Sequence, residues 1–250
     1  MRKSFMRILT LTGRNIKEIL RDPLSLLFTL GFPLFMEVLF YLIFHKMTSQ
    51  FEMRYLAPGI VVFSQAFLTL FVGILISTDR STSFLTRLYV SRAKSYEFVL
   101  AYAFAIVPVV AVQSVLFFLV GGILDHSIFG AGMIFAILLS FVTSLLFIAI
   151  GILLGSICNE KSVGGVSSIV IAGQSLLSGM WFPIDGLNKG VTTFMNILPF
   201  RNASMLVQNT MNGIGDLFKD FFLPLIILVA YTIVAFVVAV LVFRAKMKSK

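Results

Sequence analysis

Six runs of about 20 apolar residues constrain this chain most, because each is long enough to cross a hydrocarbon core about 30 Å thick. Lipid offers the backbone polar groups no partner, and the runs lack the alternation of a barrel strand, so helices are predicted. The sequence predicts an all-α polytopic membrane protein with a single domain over residues 1–250. The predicted spans are about 24–44, 59–78, 98–123, 132–154, 163–184 and 221–243.

Composition and the placement of charge agree with this class. Hydrophobic residues make up 58% of the chain and charged residues 12%, about half of the charged share of a soluble domain. Fifteen of the 20 lysines and arginines fall in the N-terminal segment, the loops after spans two and four, and the C-terminal tail. The positive-inside rule therefore predicts a plasma (inner) membrane protein with both termini in the cytoplasm. This asymmetry explains the net charge of +9 without nucleic-acid binding.

The N-terminal segment, residues 1–23, has an amphipathic pattern. Apolar side chains recur at helical spacing with basic residues between them, which predicts a helix lying in the cytoplasmic interface of the lipid membrane. Asp22-Pro23 ends the pattern, because the residue before a proline is disfavoured in a helix. We expect the chain to turn there and enter the membrane.

A second amphipathic pattern follows span two. Residues 77–98 are polar and basic, and they contain an apolar stripe at helical spacing. A short surface helix resting on lipid and a docking site for a cytoplasmic partner both fit this pattern. The stripe consists of Phe84, Leu85, Leu88 and Tyr89, with Arg80 and Arg87 beside it.

The segment between spans five and six is about 36 residues long, and loops of that length are uncommon without a function. It contains a short apolar set that includes Phe194, so a helix or a re-entrant hairpin is predicted at the outer interface. Half-apolar sequence beside a span is typical of a gate. The candidate gate residues are Trp181, Phe182, Pro183, Phe194 and Pro199.

Polar residues within the spans are the remaining candidates. Glu37 is the one acidic residue well inside a span, and charging it in lipid costs several kcal/mol. It either lines a substrate path or subunit interface, or is a protonated carboxyl bonded to a neighbouring helix or close to outer water. Gln65, Gln113 and Gln174 either bond helix to helix or line a polar cavity. Gly151 and Gly155 form a G-x-x-x-G pattern that permits close helix contact.

The sequence contains no recognisable catalytic constellation. It has no G-x-x-x-x-G-K-[ST] loop, so any ATP and Mg are expected on a partner chain and no cofactor is expected in this one. The single Cys158 has no second ligand for a metal site. His45 and His126 are both near predicted outer ends, where a surface histidine is the ordinary reading. No catalytic residue and no metal site is predicted.

Four stretches resemble the permease subunits of the type 2 ABC exporter family, and together they cover nearly the whole chain. They are IKEILRDPLSLLFTLGFPL, YLAPGIVVF, DRSTSFLTRLYVSRAKSYEFVLAY and LSGMWFPIDGLNKGVTTFMNILPF. The third is similar to the family's cytoplasmic coupling segment, usually E-R-E-x-G-T-L-E-x-L-x-x-[ST]-P, and has Asp79 where Glu is usual and Ser91-Arg92 where Ser/Thr-Pro is common. The fourth ends in Leu198-Pro199 instead of Asn-Pro.

The resemblance implies a membrane permease subunit that pairs with itself or with a homologous permease and carries cytoplasmic ATPase subunits. The residues of the apolar stripe would fill a groove on the ATPase, with Arg80 and Arg87 as rim charge. Residues 183–200 would form short re-entrant helices at the outer mouth. The cargo would be an amphipathic or lipid-like molecule such as a drug, peptide, lipid or glycan. An ion-coupled transporter or channel using Glu37, and a membrane scaffold or immunity protein, are the alternatives.

Overall fold

The chain folds as an all-α polytopic membrane protein. A computed structural model describes residues 2–82, 94–182, 184 and 186–248; of these, 87% are helical and none lies in a β-strand. Five of the described helices are long and apolar enough to cross a membrane. The class predicted from the apolar runs is thereby confirmed.

The N-terminal segment forms helix α1 (Arg2–Ile19). Ile8, Asn15 and Ile19 are buried, while Phe5 and Leu9 are exposed by half or more. An exposed apolar face beside a packed one suits a helix lying on lipid. The chain turns at Asp22, whose side chain accepts a hydrogen bond from the backbone N–H of Ser25 and so caps the next helix.

The first span is helix α2 (Pro23–Phe44), about 33 Å long at 1.5 Å per residue. It contains a π-helical turn at Leu27–Gly31, two residues before Pro33. Pro33 has no N–H, so the carbonyl of Thr29 loses its usual donor four residues ahead. The side chain of Gln113 donates to this carbonyl at 3.1 Å and to that of Ser64 at 3.2 Å. The span is irregular where it is bonded to its neighbours.

Helix α3 (Met53–Ser81) is the centre of the bundle and follows a short 3₁₀ turn at Ser49–Phe51. Buried residues make up 89% of its most apolar stretch, against 17% for α2. Helix α4 (Ser95–Leu124) packs against α1, α3 and helix α5 (Ala131–Ile157). A 3₁₀ turn at His126–Ile128 joins α4 to α5.

Helices α3 and α5 approach each other closely at glycines. A Cβ placed on Gly151 would lie 3.0 Å from the carbonyl oxygen of Thr69, and one on Gly155 would lie 2.8 Å from that of Gly73. Only glycine permits this contact with backbone atoms. The close packing predicted for the G-x-x-x-G pattern is therefore confirmed, and its partner is α3.

The fifth predicted span corresponds to helix α6 (Glu160–Leu177). The helix ends seven residues before the predicted end at 184, and its 18 residues extend about 27 Å. Ser, Gly and Gln within it lower its hydropathy, and it is not among the five span-capable helices of the described chain. The count of six spans stays a prediction.

Two short helices follow, α7 (Lys189–Ile197) and α8 (Pro199–Asn212), where the sequence indicated a helix or a hairpin. The side chain of Asn202 donates to the carbonyls of Asn196 and Leu198 and so fixes the corner between them. Helix α8 packs against α3, α5 and the last helix, α9. Helix α9 begins with a π-helical turn at Leu217–Phe222 and continues as Leu223–Lys248. Whether α7 and α8 re-enter the membrane stays a prediction.

Carboxamide side chains of α8 bond to backbone carbonyls that prolines leave without a donor. Pro58 cannot donate to the carbonyl of Arg54, and Asn212 donates to it at 2.9 Å. Pro224 cannot donate to the carbonyl of Asp220, and Asn209 donates to it at 3.1 Å. Helix α8 therefore ties α3 and α9 together at one end of the bundle.

Candidate functional site

At the opposite end of the bundle, α1 is bonded to α3 and α4 through Asp79. The Asp79 carboxylate is 1% exposed and accepts two hydrogen bonds of 2.5 Å from the Arg14 guanidinium. The hydroxyl of Tyr102 on α4 donates to it at 2.6 Å. Bidentate Arg–carboxylate pairs combine strength with a fixed geometry. Three helices are thus held at one buried carboxylate.

A second link joins α1 to the start of α4. The Glu97 carboxylate is 2% exposed and accepts hydrogen bonds from the hydroxyl of Ser4 and, at 3.1 Å, from the backbone N–H of Lys94. A nitrogen of the Arg7 guanidinium lies 3.6 Å from it. In sequence, Asp79 precedes the apolar stripe that begins at Phe84, and Glu97 follows the last residue of that stripe, Tyr89. We call these two links, Arg14–Asp79–Tyr102 and Ser4–Glu97–Arg7, the α1 junction.

Burial and charge shift the pKa values of two α1 side chains at the junction, Arg14 and Glu18. Partial burial alone would lower the pKa of Arg14, but its hydrogen bond to Asp79 and the negative charge of Asp79 outweigh burial and raise that pKa. Burial raises the pKa of Glu18, and the charge of Asp79 raises it further. Glu18 lies 2.7 Å from the Arg14 guanidinium. It therefore takes up a proton at a higher pH than a free glutamate, while Arg14 stays charged.

Arg80, a predicted docking residue, is engaged within the chain. Its guanidinium donates to the carbonyl of Gly155 at 2.8 Å and to that of Cys158 at 3.1 Å, at the C-terminal end of α5. A cation is favoured there by the helix dipole. The other predicted docking residues lie outside the described part of the chain; they are Phe84, Leu85, Arg87, Leu88 and Tyr89.

Glu37 is fully buried in the C-terminal half of α2. It is 0% exposed, and neither carboxylate oxygen has a hydrogen-bond partner among the described residues. The segments of α3 and α4 between Tyr55 and Asp79 and between Tyr102 and Leu124 contain no ionisable residue. An ionised carboxylate in such a place costs several kcal/mol.

Gln65 and Gln174 bond helix to helix. The amide of Gln65 donates to the carbonyl of Ser140 at 2.7 Å, and its oxygen accepts a 2.6 Å bond from the hydroxyl of Thr143, both on α5. The amide of Gln174 on α6 donates to the hydroxyl of Ser204 on α8 at 3.0 Å. Both side chains are 0% exposed.

The predicted gate residues that the structure describes differ in how far they are buried. Trp181 packs among phenylalanines, and its indole N–H donates to the hydroxyl of Ser175 at 2.9 Å. Phe182 is half-buried, Phe194 on α7 is 56% exposed, and Pro199 is buried at the start of α8. Pro183 lies outside the described residues. Trp181 and Phe194 thus have different surroundings.

Comparison with known protein families identifies the family of the chain. The profile of the ABC-2 type transporter family matches residues 6–212, from within α1 to the end of α8. The chain belongs to this family. It is a membrane permease subunit of an ABC transporter. No curated protein matches it.

In this permease the Asp79 carboxylate stays within the helix packing, where Arg14 and Tyr102 reach it. Among the described residues no group of three His, Cys, Asp or Glu side chains could hold a metal ion.

Sequence reasoning did not assign Arg14, Tyr102 and Glu97 to the site. One signal was present: Asp79 lies three and seven residues after Ile76 and Val72, which are buried on α3. An acidic residue on the buried face of a helix needs a partner, and the partner was to be sought among the basic residues of α1. Which of them it was depended on how α1 packs against α4.

Proposed function

We propose that this permease is part of an ATP-driven exporter in which a separate ATPase subunit, carrying ATP and Mg, docks on the cytoplasmic segment near residues 81–90. Closure of the ATPase pair would displace this segment, and the α1 junction would pass the displacement to the spans. The cargo would be an amphipathic or lipid-like molecule that leaves the cytoplasm. Nucleic acid has no part in this function.

The observation that carries the proposal is that α1 bonds to the chain on both sides of the docking segment. Arg14 and Ser4 are ten residues apart on α1, about 15 Å along the helix axis, and hold Asp79 and Glu97 respectively. Displacing either end of the segment therefore pulls on α1. Because α1 leads through Asp22 directly into α2, the same displacement reaches the first span.

The exposed surface of α1 supports a partner at this end. A cavity of about 660 Å³ lies along α1, and Gly13, Lys17 and Arg21 line it together with Glu18. Its lysine and arginine suit an acidic edge of a protein partner or a lipid head group. The predicted cytoplasmic location of both termini places this surface on the side where ATP is available.

Pairing of two permeases is supported by apolar surface outside the core. Only 17% of the most apolar stretches of α2 and α9 is buried, so these helices face lipid or a second permease. We propose a homodimer or a heterodimer with a homologous permease, embedded in the plasma (inner) membrane. Chemical cross-linking of differently tagged copies in the membrane would show a mixed dimer if the pair is homomeric.

Replacing Arg14 tests the coupling route. Arg14→Gln leaves the buried Asp79 carboxylate without its cation, so we expect the ATPase to co-purify while the effect of the permease on its ATP hydrolysis falls about five-fold or more. Lys161→Gln on α6 is the matched control, since it removes the same charge from an exposed side chain outside both the α1 junction and the cavity along α1. ATP hydrolysis is measured on complexes in lipid nanodiscs. Equal behaviour of the two variants would contradict this route.

The buried Glu37 is the observation that favours the alternative of an ion-coupled transporter. In that function Glu37 would exchange a proton or bind a cation during each cycle. Transport would then follow an ion gradient and would need no ATPase. The scaffold or immunity function has no comparable support in the described residues.

A further inference from the structure

A groove lies between α2 and α6, with α3 as its floor. It encloses a cavity of about 400 Å³, within the range typical of ligand sites. Phe32, Met36 and Phe40 of α2 form one wall, Phe63 of α3 forms the floor, and Trp181 closes the end. These side chains come from three separate parts of the chain, so the cavity exists only in the folded bundle.

The rings around the cavity are held in defined orientations. The Trp181 ring lies 4.8 Å from that of Phe40 at 87° and 5.8 Å from that of Phe63 at 75°. It is closer to parallel with Phe51, at 6.4 Å and 29°. The hydrogen bond to Ser175 fixes the indole in its plane. A site whose rings are already ordered loses little side-chain entropy when a ligand binds.

The lining defines the chemistry of a ligand. None of the described side chains that line the cavity is charged, and its polar hydroxyl, that of Ser175, already accepts from Trp181. Glu37 follows Met36 in sequence but is fully buried and does not line the cavity. Aromatic rings gain from edge and face contacts beyond the area they bury, whereas a flexible acyl chain loses rotamer freedom there.

We propose that this groove binds a planar, uncharged aromatic group of the transported molecule. The inference rests on the proposed export function, since it names the chemical class of the cargo. An aromatic ring in the cavity would lie beside the Phe40–Trp181 pair, whose two rings are nearly perpendicular, and would meet the edge of one and the face of the other. The position of the groove beside α2 connects it to the helix that the α1 junction would move.

The permease reports on this site directly because Trp181 is its single tryptophan. The probe is 9-anthracenemethanol, a planar uncharged molecule whose absorption overlaps tryptophan emission. It is titrated into the permease alone, in phosphatidylcholine nanodiscs without ATPase. We expect saturable quenching of Trp181 emission. Phe40→Leu and Phe51→Leu, which remove one ring each, should raise the half-saturation concentration about two- to ten-fold.

Phe35→Leu is the matched control, because Phe35 is on the same helix, is 59% exposed and does not line the cavity. Its titration should equal that of the unmodified permease. Quenching that rises linearly and equally in all variants would overturn the proposal, since the probe would then be dissolved in lipid only. Quenching of Trp181 by brominated acyl chains that the probe does not relieve would also overturn it, in favour of a lipid occupant.

The assay contains no ATPase, so its outcome is independent of ATPase docking near residues 81–90. Failure of probe binding with an ATPase still co-purifying would remove the cargo class and leave the exporter function. If the ATPase fails to co-purify while the probe binds saturably and in a Phe40-dependent manner, the exporter function would be removed and the aromatic binding site would remain.

Discussion

Glu37 has no partner among the described residues. One substitution distinguishes whether it stays neutral or changes charge during a transport cycle. If ATP drives the permease, Glu37 is needed only as a neutral group of its shape, so Glu37→Gln should keep both transport and thermal stability. Its free energy of unfolding should change by less than about 0.5 kcal/mol. Thermal unfolding in detergent measures the stability, and an assay in proteoliposomes measures the transport.

Glu37→Lys is the contrasting variant, since it places a cation in the same unpartnered position and should prevent folding into the membrane. Stable Glu37→Gln protein that has lost transport would show that the carboxyl changes charge during the cycle. That result would favour the ion-coupled alternative.

Residue-scale chemistry was only partly accessible from the sequence. The sequence located Glu37 inside a span but left open whether a neighbouring helix bonds to it; the structure buries it and gives it no partner among the described residues. The bonding of Asp79 did not follow, because its partner on α1 is 65 residues away. Such a pair depends on the packing of α1 against α4, which no local pattern encodes.

At the scale of helix pairs, the glycine contact between α3 and α5 should be sensitive to added volume. Gly155→Leu places side-chain atoms where the Gly73 carbonyl and Ile76 lie, at 2.8 Å from a Cβ. We expect a loss of about 1 to 3 kcal/mol of stability from overpacking. Thermal unfolding of the purified permease measures it.

The matched control is Gly164→Ala on α6, because a Cβ at Gly164 meets no atom within 4 Å. This variant should be neutral or slightly stabilised by the higher helix propensity of alanine. A Gly155→Leu protein as stable as Gly164→Ala would show that α3 and α5 do not touch as described.

The α8 carboxamides provide a second test between helices. Asn212→Ala leaves the carbonyl of Arg54 without a side-chain donor, and we expect a loss of about 1 kcal/mol. In a Pro58→Ala background the helix itself supplies an N–H to that carbonyl, so the same substitution should cost clearly less. Unfolding free energies of the four proteins form a double-mutant cycle.

Equal costs in both backgrounds would contradict the proposed compensation for the missing proline N–H. Asn196→Ala on the exposed face of α7 is the control, because it removes a carboxamide with no effect on α3. Its cost should be small and the same with either residue at position 58.

The positions of helices were more accessible from the sequence than their ends. Apolar length located α2, α3, α4, α5 and α9, because lipid demands a continuous apolar stretch. Helix α6 ends seven residues before the predicted end of the fifth span, because the chain leaves the helix at Ser178 and Gly179. Gly179 has a φ of 73°, a conformation that favours glycine.

At the scale of the whole molecule, the permease has two differently built ends. One end is held by charge, with Asp79 and Glu97 bonded to α1, and the other by amides, with α8 bonded to α3 and α9. Hydropathy and charge bias predicted the class and the expected sidedness. They carried no information on which helices touch, because apolar faces in lipid are chemically alike.

Co-purification from the native membrane tests the central claim most directly. The tagged permease is extracted in mild detergent, and its partners are identified and quantified by mass spectrometry. We expect a P-loop ATPase in stoichiometric amount, and its loss when Leu85 and Leu88 are both replaced by Asp. The control with Val191→Asp and Phe194→Asp, at exposed positions of α7, should retain it. Absence of any ATPase under conditions that preserve other ABC complexes, or its retention by the Leu85 and Leu88 variant, would contradict the account.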